Sequence, residues 1–216
     1  KAVLEAETRA KRAADAEMAT LVKVTTAELR AAEDAWAKRL SEAQVQAQEA
    51  QAIAVGERLK AAPISAIYVT KMQRTHQTAA PLAEHLGLTP KVDPDLHEVF
   101  LGDWDGGEFR FRAAENDPAI VRARDRQEWG ELPGAETTAA LKVRVRAGLM
   151  RIAQAHPDEL VAVVMHGGVI AAALALATGS PAFAFHGAEN GSISRLVIQE
   201  DNMILRGFSG VSHLAD

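Results

Sequence analysis

Leu160-Val161-Ala162-Val163-Val164-Met165-His166-Gly167-Gly168-Val169-Ile170-Ala171-Ala172-Ala173-Leu174-Ala175-Leu176-Ala177 decides the fold class. The stretch holds no Asp, Glu, Lys or Arg and is about as long as the shortest membrane span. Its middle contradicts a span. Leu160–Met165 is the short apolar run of a buried strand, His166-Gly167-Gly168 is a tight turn, and Val169–Ala177 reads as a helix. A strand running into a helix through such a turn is one step of an α/β fold.

The same alternation continues outward in both directions. Upstream, Thr137–His156 is an amphipathic helix stopped by Pro157, and Ala66–Thr70 is a strand introduced by Pro63. Arg74–Leu86 is a helix that keeps Pro81 inside and ends at Gly87. Lys91-Val92 is a short extended piece, Gly102–Gly107 a loop, and Glu108–Gly134 a charged, partly helical excursion. Downstream, Ser192–Gln199 and Met203–Gly207 read as a terminal strand pair. The expectation is an α/β three-layer sandwich: a mostly parallel sheet with helices on both faces.

Before residue 56 the chain changes character. All 15 Gly lie at or after Gly56 and all 8 Pro at or after Pro63. The opening is rich in Ala, Glu, Gln, Lys and Arg, which favour helix. Helices are expected over Lys1–Ala19 and Thr26–Lys60, with the β-branched Thr20–Thr26 between them as a strand. The apolar positions are too sparse for a convincing heptad. Residues 1–17 read as an extension or tag, and residues 18–216 as a single domain, atypical over 18–55.

Composition removes several function classes. The chain has 216 residues, 48% hydrophobic and 25% charged, within the range of a globular domain. Zero Cys excludes a disulfide framework, thiolate metal sites and a cysteine nucleophile. A net charge of -5 gives no support to a nucleic-acid platform. Lys1–Met18 has no apolar core of a signal peptide, so a cytoplasmic protein is expected, with no membrane partner.

In α/β sheets, ligands bind beyond the carboxyl ends of the strands. His166 sits at such an end, and Gly167 and Gly168 open a helix whose N–H groups and dipole favour an anion. Arg74 lies at a second strand-to-helix junction, where a guanidinium can grip phosphate or carboxylate. Apolar neighbours around Glu98 would raise its pKa and make it a proton donor. His76 and His85 read as surface residues. The spacing of His97, Asp103 and Asp105 matches no metal-ligand pattern.

Four segments, in order, resemble the histidine phosphatase superfamily, which includes the phosphoglycerate mutases. They are Ile67–Ala79 with its Arg74-Thr75-His76-Gln77-Thr78-Ala79, and Leu96-His97-Glu98-Val99-Phe100-Leu101-Gly102-Asp103-Trp104-Asp105-Gly106. Pro133-Gly134-Ala135-Glu136 with Arg144, and Val163–Ile170, complete the series. The resemblance covers about residues 56 to 214. It implies phosphomonoester hydrolysis through a phosphohistidine on a small phosphorylated substrate, without cofactor or metal. Arg74, His166 and Gly167 would bind the phosphate, with Glu98 and His166 catalytic. A homodimer is left open.

One signature of that family is missing. The resemblance implies an early strand ending in Arg-His-Gly, whose histidine attacks phosphorus. This sequence contains no Arg-His-Gly and no histidine before His76. Matching Met18–Glu28 to that strand puts Thr25 and Thr26 at the Arg and His positions, and Lys23 in a buried strand where an unpaired ammonium is costly. These departures all fall within residues 1–55, which points to that segment differing from the functional chain's own. The alternative function is a catalytically impaired phosphate-binding or scaffold protein. A third is phosphoglycerate mutase-type transfer, which the compact Gly106–Pro133 excursion disfavours.

Overall fold

The structure, a computed structural model, describes the backbone of residues 2–214 and the side chains of residues 18, 23, 25 and 28–214. The chain divides into two compact units, Lys1–Ala47 and Gln48–Asp216. The first is helical throughout its described length, as part of α1 (Ala2–Leu59), and its described side chains are exposed. The strand expected at Thr20–Thr26 is therefore corrected to helix, and the two expected helices are one. No Gly or Pro interrupts the first 55 residues. The helix penalty of a β-branched residue is only about 0.7 kcal/mol or less, which strong helix formers on both sides overcome. Lys23 is exposed on that helix rather than buried in a sheet. The Thr26 side chain lies outside the described residues.

In the second unit the middle strand is β1 (Ile64–Val69). It pairs in parallel with β2 (Lys91–Val92) on one side and β3 (Leu160–Val163) on the other. A separate antiparallel pair follows, β4 (Ile193–Gln199) with β5 (Asn202–Gly210). The helices are α2 (Gln73–Leu86), α3 (Glu108–Ala114), α4 (Pro118–Arg126), α5 (Thr138–Ala155) and α6 (Gly167–Thr178).

Alternation along the strands builds the layers. Ile67 and Val69 of β1, with Ala162 and Val164, pack against Ala79, Leu82 and Ala83 of α2 and against Leu59. Tyr68, Val161, Val163 and Met165 point the other way, into a larger cluster holding Leu141, Val145 and Leu149 of α5 and Val169, Ala172 and Ala173 of α6. Helices thus cover both faces of the parallel sheet, as a period of two in an apolar strand requires.

Local signals set the ends. Thr137 caps α5 by accepting from the Ala140 N–H, and Gly87 closes α2 in the left-handed region at φ 65°. Pro81 stays inside α2. Gly56, near the end of α1, lies against it: a Cβ at Gly56 would sit 3.1 Å from the Pro81 Cβ and 3.2 Å from the Leu82 nitrogen. The charged excursion neutralises itself: Arg112 pairs with Glu108 and Asp117, and Arg122 and Arg126 pair with Glu131. Among the described residues no helix is long and apolar enough to cross a membrane.

Candidate functional site

β1 and β3 run parallel, so their carboxyl ends lie on the same side of the sheet. Thr70 follows β1 and His166 follows β3, and both are buried, at 0% and 4% exposure. The Thr70 hydroxyl and the His166 Nε2 are 2.9 Å apart. Thr75, in the first turn of α2, stitches this end of β1: its hydroxyl accepts from the Thr70 N–H at 3.1 Å and donates to the Met72 carbonyl at 2.8 Å. His76 adds a ring N–H to the Thr70 carbonyl at 2.9 Å and, like His85, is exposed.

Arg74 joins the same group. Its Nε donates to the His166 Nδ1 at 3.2 Å. That bond assigns the tautomer: Nδ1 keeps its lone pair, and the proton of the neutral ring sits on Nε2, directed at Thr70. Burial pushes the His166 pKa down from 6.5 to about 4, and the charges of Arg74, His97 and Arg144 act in the same direction. The ring is neutral at pH 7.

Glu98 arrives from a loop rather than from the sheet. Its Oε1 accepts the Val99 N–H at 2.9 Å, and the carboxyl also takes the N–H of Gly168 in the first turn of α6. Gly168 is there for space: a Cβ would lie 2.5 Å from the Val99 Cγ2 and 3.0 Å from the Glu98 Oε1. Burial raises the Glu98 pKa above the ordinary glutamate value. The Val99 and Gly168 hydrogen bonds and the charges of Arg74 and Arg144 oppose that shift without cancelling it. Gly167, before it, is exposed, with nothing within 4 Å of where its Cβ would be.

The structure therefore gathers Arg74, Glu98, His166 and Gly167 around the N-terminus of α6. A guanidinium, an imidazole and the N-terminal turn of a helix meet there, groups whose chemistry suits an anion, and a carboxyl that holds its proton longer than usual stands beside them. Thr25 belongs to α1, in the other compact unit. Among the described residues no group of three or more His, Asp or Glu is arranged for a metal ion. Asp105 instead accepts the Leu101 N–H at 3.2 Å in its own loop, and His97 donates Nδ1–H to the Glu98 carbonyl at 2.7 Å.

Sequence reasoning overlooked Thr70 and Thr75. Their signal was present, two hydroxyl residues flanking a strand-to-helix junction, but only the pairing of β1 with β3 reveals what they hold.

Comparison with known proteins agrees with the resemblance stated above. Residues 45–209 match the histidine phosphatase superfamily (branch 1). The chain is 31% identical over 170 residues to the metal-independent phosphoserine phosphatase of Arabidopsis thaliana, covering 76% of this chain and 70% of that one. It is 27% identical over 175 residues to a probable phosphoglycerate mutase, GpmB, of Erwinia tasmaniensis, covering 78% and 81%. A solved mycobacterial glucosyl-3-phosphoglycerate phosphatase in complex with VO3 superimposes with a TM-score of 0.65 at 29% identity, over 75% of this chain and 84% of that one. With three-quarters of its length accounted for in this way, the chain belongs to the histidine phosphatase superfamily.

Proposed function

We propose that the cradle at the start of α6 binds the phosphoryl group of a small phosphomonoester, and that this chain hydrolyses it. The observation carrying this reading is the convergence of Arg74, His166 and the α6 N-terminus with a half-buried glutamate whose pKa is raised. A site that only held phosphate would gain nothing from Glu98, because burying a carboxyl beside a dianion is unfavourable. A proton donor for the leaving oxygen needs that arrangement.

The reaction divides between these groups. Arg74 and the Gly167 N–H hold the non-bridging oxygens, and His166 joins them once the phosphate dianion draws a proton onto Nδ1 and the Arg74 guanidinium turns from the ring to the phosphate. Positioning and electrostatics dominate such transfers. As the bond from phosphorus to the ester oxygen breaks, Glu98 delivers its proton to that oxygen and the alcohol departs. Water attacks phosphorus in line with that oxygen in the same step, so the new P–O bond forms as the old one breaks, and the water's proton passes to the Glu98 carboxylate. A phosphohistidine intermediate requires an imidazole nitrogen facing the phosphorus in the first half. The chain offers no histidine before His76, and Thr25 and Thr26 are helical. That observation favours a second reading, phosphate binding without turnover. A third, phosphoryl transfer of the mutase type, would use the same residues.

Hydrolysis of p-nitrophenyl phosphate and binding of vanadate separate the readings. E98Q should lower turnover by about a hundredfold or more while vanadate affinity is kept. H166A should weaken vanadate binding. Vanadate binding with no turnover selects the second reading; no vanadate binding by the unmodified chain defeats all of them.

A further inference from the structure

The Glu136–Arg144 pair lies outside the anion cradle, yet its bonds converge on the loop that carries Glu98. Arg144 Nη1 donates to the carbonyls of Asp95 and His97, both at 2.8 Å. Its Nη2 donates to the Glu98 carbonyl at 3.2 Å and also bonds the Glu136 carboxylate. Its Nε donates to the second oxygen of Glu136 at 3.0 Å. Glu136 extends the grip downstream: Phe100 N–H donates to its Oε1 at 2.9 Å, and its own N–H donates to the Phe100 carbonyl at 3.0 Å.

Helix α5 repeats this grip along one face. Arg144, Gly148 and Arg151 stand at spacings of four and seven residues, which places them on one side of a helix. Arg151 bonds Asp93 at 2.7 Å and Asp95 at 2.8 Å. Gly148, between the two arginines, lets the loop lie close: a Cβ there would be 3.0 Å from the Leu96 Cδ2 and 3.1 Å from the Asp93 Oδ1. Residues 97–101 have no strand or helix of their own, so this rail replaces a regular backbone ladder.

The geometry points to Arg144, braced by Glu136, as a positioning residue that fixes where Glu98 presents its proton to the leaving oxygen. The assignment rests on Glu98 being the donor of the site proposed above. Arg144 holds the carbonyl of Glu98 itself, and the Glu98 carboxyl then meets the N–H groups of Val99 and Gly168. A slack loop would withdraw the carboxyl from that slot.

The test follows the titration of Glu98 by carbon-13 carboxyl resonances in the full chain, with circular dichroism to verify folding. R144K keeps the charge and loses the fork. The Glu98 midpoint is then expected to fall toward the ordinary glutamate value as the carboxyl reaches water. If Arg144 served only as a nearby charge, the midpoint would stay in place, and the assignment would be overturned. In p-nitrophenyl phosphate turnover, kcat should drop by about tenfold or more with KM held. Should R144K fail to fold, G148A decides: it retains both arginines and wedges the loop off the rail, so the midpoint should move the same way, and an unmoved midpoint overturns the assignment. Inorganic phosphate affinity, followed by phosphorus-31 resonances, should stay within about twofold, because Arg74 and His166 are untouched. If the unmodified chain binds no phosphate, the phosphate-site reading fails by itself, while the Glu98 midpoint still decides the role of Arg144.

Discussion

His166 makes the folded state sensitive to acid. Its ring is held neutral down to about pH 4, whereas in the unfolded chain it takes a proton near 6.5. Between those values the unfolded state binds more protons. Stability therefore falls as pH drops through that window, by about 3 kcal/mol for a group this buried. Glu98 contributes with the opposite sign, since its raised pKa favours the folded state at low pH and loses that advantage as pH rises. H166Q removes the first dependence and keeps the second. Urea denaturation of both proteins from pH 4 to 7 should show the unmodified chain losing stability relative to H166Q toward the acid end; parallel curves would falsify the assignment of a neutral, buried imidazole. That Arg74, Glu98 and His166 come together follows from where they sit, at two strand-to-helix turns and in one apolar-flanked loop, although for Arg74 the position alone equally suits a solvated arginine and the family resemblance singled it out. Thr70 could not be recognised from sequence, because its partner is 96 residues away and strand pairing alone brings it there.

Among the elements, α6 offers a test in which two neighbouring glycines should respond with opposite signs. Replacing a helical Gly by Ala gains up to about 1 kcal/mol from backbone entropy. At Gly167 nothing opposes that gain, since the space beyond its Cα is open. At Gly168 the new methyl would lie 2.5 Å from Val99, and overpacking of that kind costs about 1–3 kcal/mol. G167A should therefore hold or raise the urea midpoint and G168A lower it. Equal shifts would mean that Val99 does not sit where the structure has it. Element type could be read from sequence wherever punctuation was strong, as at Gly87, Thr137 and Pro157. It failed at Thr20–Thr26, where β-branched residues suggested a strand but no pairing partner supplied one. β3 is an intermediate case. Leu160–Met165 is apolar on both faces, as in an interior strand. Among the described residues it is nevertheless bonded on one side only, and Leu160 stays 48% exposed.

At the scale of the whole molecule, the deciding fact is where the buried apolar surface lies. Both core clusters belong to the unit from Gln48 onward, with helices on the two faces of one small parallel sheet. That arrangement was legible because apolar strands alternating with helices admit few other layer plans. Among the described residues, none before Gln48 belongs to either cluster, and the side chains of Leu29, Trp36 and Leu40 are exposed at 60%, 67% and 49%. Over residues 28–47, where every side chain is exposed, the helix draws on propensity and on local pairs such as Lys38–Glu42, which give about 0.3–0.5 kcal/mol each. A helix supported in that way opens at low free energy, and a protease reaches it first. Limited trypsin digestion should accordingly cut at Lys23, Arg30, Lys38 or Arg39 before any site within the second unit. The shortened chain from Gln48 to Asp216 should then melt within a few degrees of the full chain, because it keeps every residue of both core clusters. Early cleavage inside α5 or α6, or a cooperative transition lost on shortening, would place part of the folding energy in the first unit instead.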